Sequence, residues 1–173
     1  MVQNIAIVGL NRAKSYEVAK MLADELDMFF FDALELFEFD NMPRTFSQML
    51  KEFGVDFYRR KEKGIIGYAS EFNNCVINLE GGMAENEANF KNIKETSIVV
   101  YLAEAVNIVF EDLKNQSFEN EEEKQFFLVE EEILKNRANK LTNNADIIVN
   151  ASEGSSLKIT SEVVRMLKNY YAN

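Results

Sequence analysis

The stretch from residue 5 to residue 22, IAIVGLNRAKSYEVAKML, decides the fold. It begins as a run of apolar residues, turns at Gly9 and continues with apolar residues at helical spacing. The pattern predicts a buried strand, a turn and an amphipathic helix. The predicted inner face of this helix consists of Val18, Met21, Leu22 and Leu26. A strand, a glycine turn and a helix in this order are the layout of a phosphate-binding loop.

Further strands and helices alternate along the rest of the chain. Four short apolar runs predict strands over Met28 to Phe31, CVINLEGG from Cys75, Ser97 to Leu102, and DIIVNAS from Asp146. Helical patterns lie between them, with a break at Gly54 between a short and a longer helix. The alternation predicts an α/β fold of three layers, with a five-stranded parallel sheet and helices on both faces.

In such a sheet, ligands bind beyond the carboxyl ends of the strands. The residues that end the first three predicted strands are therefore expected to border one crevice. These residues are Gly9, Asp32, Gly81 and Gly82.

Composition limits the possible chemistry. The 173 residues predict one domain over 1–173, and the net charge of −10 argues against affinity for nucleic acid or an anionic membrane. No apolar run approaches the roughly 18 residues of a spanning helix, and the N-terminus does not resemble a signal peptide, so we expect a cytoplasmic protein.

The absence of histidine excludes Ser-His and Cys-His mechanisms. Cys75, the single cysteine, lies in an apolar stretch and is expected to be a buried small hydrophobe.

Five further motifs follow the glycine turn in order: LADELDMFFFD, GVDFYRRKEKGII, VINLEGG, SIVVYLAEA and NRANKLTNNADIIVN. In this order and spacing the chain resembles the shikimate kinases, P-loop kinases of the nucleoside-monophosphate-kinase type, over nearly its whole length. The resemblance implies transfer of the γ-phosphoryl group of ATP to a hydroxyl of shikimate, with Mg²⁺. It also implies a substrate-binding segment at about 33–62 and a lid at about 114–135.

The resemblance leaves two alignments of the phosphate-binding loop open, and the loop is degenerate in both. The motif is G-x-x-x-x-G-K-[ST]. An ungapped alignment from Gly9 puts Lys14 at the second glycine, Ser15 at the lysine and Tyr16 at the hydroxyl. All three functional residue types are then lost.

In the second alignment the loop is one residue shorter. Ala13 then replaces the glycine, Lys14 is the catalytic lysine and Ser15 is the Mg²⁺ ligand. In either alignment, Arg12 and Lys14 lie near a helix N-terminus, where they could hold a phosphate or a carboxylate or remain solvated.

On the substrate side, the resemblance assigns a catalytic and Mg²⁺-binding role to Asp32. The family's second aspartate is replaced by Leu34. The family's substrate-binding arginine is replaced by Tyr58, so that Arg59 and Arg60 are not obvious replacements, although Arg59 is kept as a candidate.

Two other parts of the substrate site are more complete. Gly81 and Gly82 retain the glycine turn, while Glu80 replaces its first glycine and is expected to repel a substrate carboxylate. Arg137 stands where a second substrate-binding arginine is expected, and a surface arginine on an acidic helix is the alternative.

The lid-like segment contains many carboxylates and no arginine, so the resemblance implies that transition-state charge is not compensated from that side. Its apolar residues, Phe118, Phe126, Phe127 and Leu128, are expected to pack on the core, the alternative being an exposed patch for a protein partner or homodimer.

Taken together, these losses predict a shikimate-kinase-like protein that is catalytically impaired and binds a small anionic ligand or a protein partner. The alternative is an active kinase, with shikimate as acceptor, that uses Mg²⁺, ATP and the shortened loop.

Overall fold

The structure is a computed structural model that describes residues 3–172, apart from the side chains of residues 84 and 85. Within this range the chain forms five strands, nine α-helices and a short 3₁₀ helix at Gly81–Glu85. The strands are β1 Asn4–Gly9, β2 Phe29–Asp32, β3 Cys75–Glu80, β4 Ser97–Ala103 and β5 Ile147–Asn150. The helices are α1 Arg12–Leu26, α2 Ala33–Asp40, α3 Phe46–Phe53, α4 Val55–Ser70, α5 Glu87–Thr96, α6 Val106–Lys114, α7 Glu121–Phe127, α8 Glu131–Asn144 and α9 Ser156–Ala172.

The five strands form one parallel sheet in the order β2-β3-β1-β4-β5. Ile5 and Ile7 of β1 pack with α1 and α9 on one face of the sheet. Ala6 and Val8 belong to the core on the other face, which α2, α3, α4 and α5 help to form. Both faces are therefore covered, and the fold class predicted from the sequence is confirmed.

The boundaries of β2 and α2 differ from the sequence-based expectation. The strand begins at Phe29 rather than Met28, because the Met28 N–H donates to the Ala23 carbonyl at 2.9 Å and so completes the end of α1. The helix α2 was not predicted. It begins after Asp32, whose carboxylate accepts hydrogen bonds from the N–H groups of Leu34 and Glu35 as an N-cap.

Other local expectations agree with the structure. Gly54 separates α3 from α4 and has a φ of 77°, a conformation that favours glycine. Cys75 is buried, and burial raises the pKa of its thiol to about 11, so it is a core residue. Within residues 3–172, no helix has the length and apolar character that crossing a membrane requires.

Replacing Gly81 by alanine is expected to lower the free energy of unfolding by about 2 kcal/mol. A Cβ atom on Gly81 would lie 2.7 Å from the carbonyl oxygen of Gly9, and this neighbour is main chain that cannot rotate away. Urea denaturation measures the change.

The matched control is Gly64→Ala in α4, where a Cβ atom would meet nothing within 4 Å. Because alanine is favoured over glycine inside a helix, this control is expected to stabilise the protein by about 0.5 to 1 kcal/mol. Similar effects at the two positions would contradict the close approach of Gly81 to β1.

Candidate functional site

A cleft of about 650 Å³ opens beyond the carboxyl ends of β1 and β3, and is called here the C-terminal cleft. Its base includes Gly9, Leu10 and Gly81, as expected for the end of a parallel sheet. Its carboxylates are Glu17, Glu35, Glu38, Glu80 and Glu123, and its two arginines are Arg12 and Arg137. The charged side chains that line the cleft are therefore mainly acidic.

The turn between β1 and α1 is very short. Only Leu10 and Asn11 separate Gly9 from the first residue of the helix, Arg12. The Asn11 side chain accepts a hydrogen bond from the Lys14 N–H at 3.2 Å, and the Ser15 N–H donates to the Asn11 carbonyl at 3.0 Å. These main-chain N–H groups are used to begin the helix, whereas a phosphate-binding loop directs such groups at the anion.

The Lys14 side chain joins α1 to the residues that directly follow β4 and β5. Its ammonium group contacts the Glu104 carboxylate and donates to the Ala151 carbonyl at 2.9 Å. The Glu104 side chain is 3% exposed. Burial raises the pKa of this carboxyl group, and Lys14 opposes the rise. The lysine therefore neutralises a buried carboxylate.

Ser15 and Tyr16, the two candidates for the hydroxyl of the loop, also have partners within the protein. The Ser15 hydroxyl is buried and donates to the Arg12 carbonyl at 3.0 Å. Tyr16 lines the cleft, but its hydroxyl donates to Glu35 at 2.8 Å, and this hydrogen bond is the main reason why the tyrosine pKa is raised. Ala13 lines the cleft and contributes no polar side chain.

Asp32, the last residue of β2, is not among the residues that line the cleft. It is buried, caps α2, and accepts hydrogen bonds from Asn78 at 2.5 Å and from Arg12 at 3.3 Å. The Mg²⁺ ligands implied by the resemblance, Ser15 and Asp32, thus have their oxygens directed at protein groups. In the described part of the chain, no three side chains of the His, Cys, Asp and Glu types are grouped as metal ligands. In the arrangement that the structure shows, Ser15, Asp32 and Lys14 therefore do not fit the Mg²⁺ and ATP that the resemblance implies.

Arg59 brings its guanidinium group close to Glu80 at the end of β3. Its Nη1 atom donates to Glu62 at 2.7 Å and to Glu80 at 3.3 Å. The Arg59 guanidinium also lies over the rings of Tyr58 and Phe126, with 5.3 and 5.0 Å to the ring centroids. Arg59 and Glu62 lie on one side of the helix, as residues three apart do, and a substrate-binding role of Arg59 stays a prediction.

Both carboxylate oxygens of Glu80 have donors within the protein, and its expected repulsion of a substrate carboxylate stays a prediction. One of its oxygens accepts from the Gly82 N–H at 2.8 Å, and the other accepts from Arg59. Burial raises the pKa of the nearby Glu62 carboxyl group to about 7, and Arg59 opposes the rise. Sequence reasoning missed Glu62 as a site residue, although its spacing from Arg59 was the available signal.

Arg137 in α8 is 6% exposed and lines the cleft, so the alternative of a surface arginine is wrong. The lid-like segment also packs as expected. Phe126 is buried, while Phe118, Phe127 and Leu128 are partly buried. Phe118 and Phe127 form part of the cleft wall. The exposed-patch alternative for these four residues is therefore wrong.

Comparison with known proteins agrees with this architecture. The profile of the shikimate kinase family matches residues 14–168. The match begins at Lys14, so the turn from Gly9 to Ala13 lies outside it. The chain is also 25% identical over 166 residues to the shikimate kinase of Persephonella marina, covering 96% of this chain and 99% of the relative.

Two solved structures show the same fold. The shikimate kinase of Aquifex aeolicus superposes with a TM-score of 0.81 at 20% identity, over 97% of this chain and 98% of the other. The shikimate kinase of Acinetobacter baumannii in complex with shikimate also gives a TM-score of 0.81 at 20% identity, over 98% of this chain and 95% of the other.

Proposed function

Because the chain belongs to the shikimate kinase family, we propose that it keeps the fold and the cleft of this family but does not transfer phosphoryl groups. The observation that carries the proposal is the two-residue turn between Gly9 and Arg12, together with the use of Lys14 to neutralise Glu104. Phosphoryl transfer depends on positioning the nucleotide and neutralising its charge. A lysine held by a buried carboxylate is not directed at a nucleotide.

The acidic character of the C-terminal cleft supports the same conclusion. Five carboxylates and two arginines line it. Arg12 is paired with Asp32. A triphosphate entering this cleft would lose hydration without gaining the cationic partners that normally compensate for it.

An active shikimate kinase is the second candidate, and family membership together with the positions of Arg59 and Arg137 favours it. In this case Lys14 leaves Glu104 when the nucleotide binds, and Ser15 leaves the Arg12 carbonyl. A small anionic ligand and a protein partner, both inferred from the sequence, stay predictions.

Calorimetric titration of Mg-ATP into the protein tests the proposal. We expect no saturable binding up to millimolar nucleotide, and no phosphorylation of shikimate above the rate without protein. The shikimate kinase of Persephonella marina, titrated under the same conditions, is the positive control.

Magnesium-dependent, stoichiometric binding would contradict the proposal. Loss of this binding in the Ser15→Ala variant would assign it to the shortened loop. This substitution removes only the hydroxyl that donates to Arg12. Such a result would establish the shortened loop as a working nucleotide site.

A further inference from the structure

A second groove, of about 490 Å³, lies between α2 and α4 and is called here the α2–α4 groove. It shares no lining residue with the C-terminal cleft. Helix α2 contributes to both, since Leu34, Glu35 and Glu38 line the cleft and other residues of the helix line the groove. The apolar side chains that line the groove are Leu36, Phe37, Phe39, Ile65 and Tyr68.

Two of these aromatic side chains are open to solvent. Phe39, in the last turn of α2, is 71% exposed, and Tyr68 of α4 is 50% exposed. Both line the same groove, so their exposed surfaces belong to one apolar face of the protein. Apolar surface that is concentrated in this way is typical of an interaction site, whereas single exposed apolar residues are common on any protein.

Gly64 leaves room for a side chain that comes from outside. It lines the groove on the α4 side, and a Cβ atom at this position would meet nothing within 4 Å. No described neighbour therefore requires residue 64 to lack a side chain, although glycine is less favourable than alanine inside a helix. The groove is open down to the main chain of α4 at this point.

The two charged residues that line the groove have opposite signs. Asp40 ends α2, Lys61 lies in α4, and both are exposed. The ion pairs between described residues include neither of them. The charges of this face therefore balance, although the whole chain carries a net charge of −10. Two copies of the chain can approach each other here without the repulsion that acidic surfaces would cause.

A two-fold interface brings the same patch of two copies together, so that residue i contacts residue j and residue j contacts residue i. Such a patch must be complementary to itself. The α2–α4 groove meets this requirement in shape, because it has an exposed phenyl ring at Phe39 and an open space at Gly64. It also meets the requirement in charge, because it has one anion and one cation.

We propose that the α2–α4 groove is a two-fold interface with a second copy of this chain. Phe39 of each copy enters the groove of the other over Gly64, and Asp40 of each copy pairs with Lys61 of the other. Because the patch is small, we expect a dissociation constant on the order of 10 to 100 µM. The proposal goes beyond the proposed function and does not depend on it, since the groove and the cleft share no lining residue.

Analytical ultracentrifugation between about 1 and 300 µM protein, a range that spans this dissociation constant, tests the proposal. Wild-type protein is expected to change from the monomer mass to twice that mass. Phe39→Glu is expected to weaken the dimer about thirtyfold or more, as the loss of a central aromatic residue does. The matched control is Leu157→Glu in α9, which adds the same charge at an exposed apolar residue on the other face of the sheet and is expected to keep the dimer.

Gly64→Leu separates a specific fit from general adhesion of an apolar face. The leucine side chain fills the space that receives Phe39, so we expect this variant to be monomeric throughout the range. A face that associates only because it is apolar would instead associate more strongly after this substitution. Thermal unfolding verifies that each variant is folded.

Charge reversal tests the two-fold arrangement directly. Asp40→Lys and Lys61→Asp are each expected to be monomeric where wild type is dimeric, because each places like charges opposite one another in both pairs. An equimolar mixture of these two variants is expected to form a dimer again. In the mixed dimer, both pairs between positions 40 and 61 join opposite charges.

The proposal is overturned if wild-type protein stays monomeric at 300 µM or forms assemblies larger than a dimer. It is also overturned if folded Phe39→Glu or Gly64→Leu dimerises as wild type does, which would place the interface elsewhere. A mixture of the two charge variants that stays monomeric contradicts the pairing of Asp40 with Lys61. Titration of Mg-ATP bears on none of these outcomes, so the proposed function and the dimer can fail separately.

Discussion

Replacing Lys14 by alanine is expected to lower the free energy of unfolding by about 3 kcal/mol at pH 8, since breaking a buried ion pair leaves the remaining charge uncompensated. The charge left behind is Glu104, whose side chain is 3% exposed and contacts the Lys14 ammonium group. The Ala151 carbonyl also loses its hydrogen bond from Lys14. Urea denaturation measures the change.

The loss caused by Lys14→Ala is expected to be smaller at pH 5 than at pH 8. Burial raises the pKa of Glu104, and Lys14 counteracts the rise, so removing Lys14 raises the pKa further. A folded-state pKa above the unfolded one favours folding at low pH, and this contribution disappears as the pH rises through the folded-state value. The unpaired carboxyl group is thus protonated at low pH, where its burial costs less.

Two controls accompany the Lys14 substitution. Lys20→Ala removes an exposed lysine from the same helix and is expected to change stability by less than about 0.5 kcal/mol. Lys14→Ala combined with Glu104→Gln is expected to be less destabilising than Lys14→Ala alone, because no uncompensated charge remains. Unchanged stability in Lys14→Ala would contradict the structural role of Lys14 and favour the active-kinase alternative.

Replacing Glu62 by glutamine is expected to raise the free energy of unfolding by about 3 kcal/mol at pH 8 and to change it little at pH 4.5. The folded-state pKa of Glu62 is about 7 against an ordinary value of 4.5, and burial is the main cause. The neutral carboxyl group therefore favours folding below pH 4.5, and this contribution is lost as the pH rises through 7. Glutamine stays neutral throughout.

Urea denaturation of wild type and Glu62→Gln between pH 4.5 and pH 8 measures this difference. Glu95→Gln, on the exposed side of α5, is the matched control and is expected to leave the pH dependence of wild type unchanged. A constant difference between wild type and Glu62→Gln across this range would show that Glu62 is ionised at every pH, held by Arg59 alone.

Most of the secondary structure could be predicted from the sequence because it depends on neighbouring residues. The apolar runs of β1 and β4, the helical spacing of α1 and the break at Gly54 all follow from local patterns. The helix α2 could not be predicted in this way. Its start is stabilised by Asp32, which in turn is held by Arg12 and by Asn78 of β3, and neither partner is near Asp32 in the sequence.

The sequence by itself determined the family, the alternation of five strands with helices along the chain, and the identity of the candidate residues. Residue types and their spacing carry this information. Only the tertiary structure decided what those side chains do. Lys14 contacts Glu104 and Ala151, which follow it by 90 and 137 positions. Arg59 reaches Glu80, which follows it by 21 positions. Such contacts depend on which strand ends lie side by side, and this arrangement is fixed by the packing of the whole sheet.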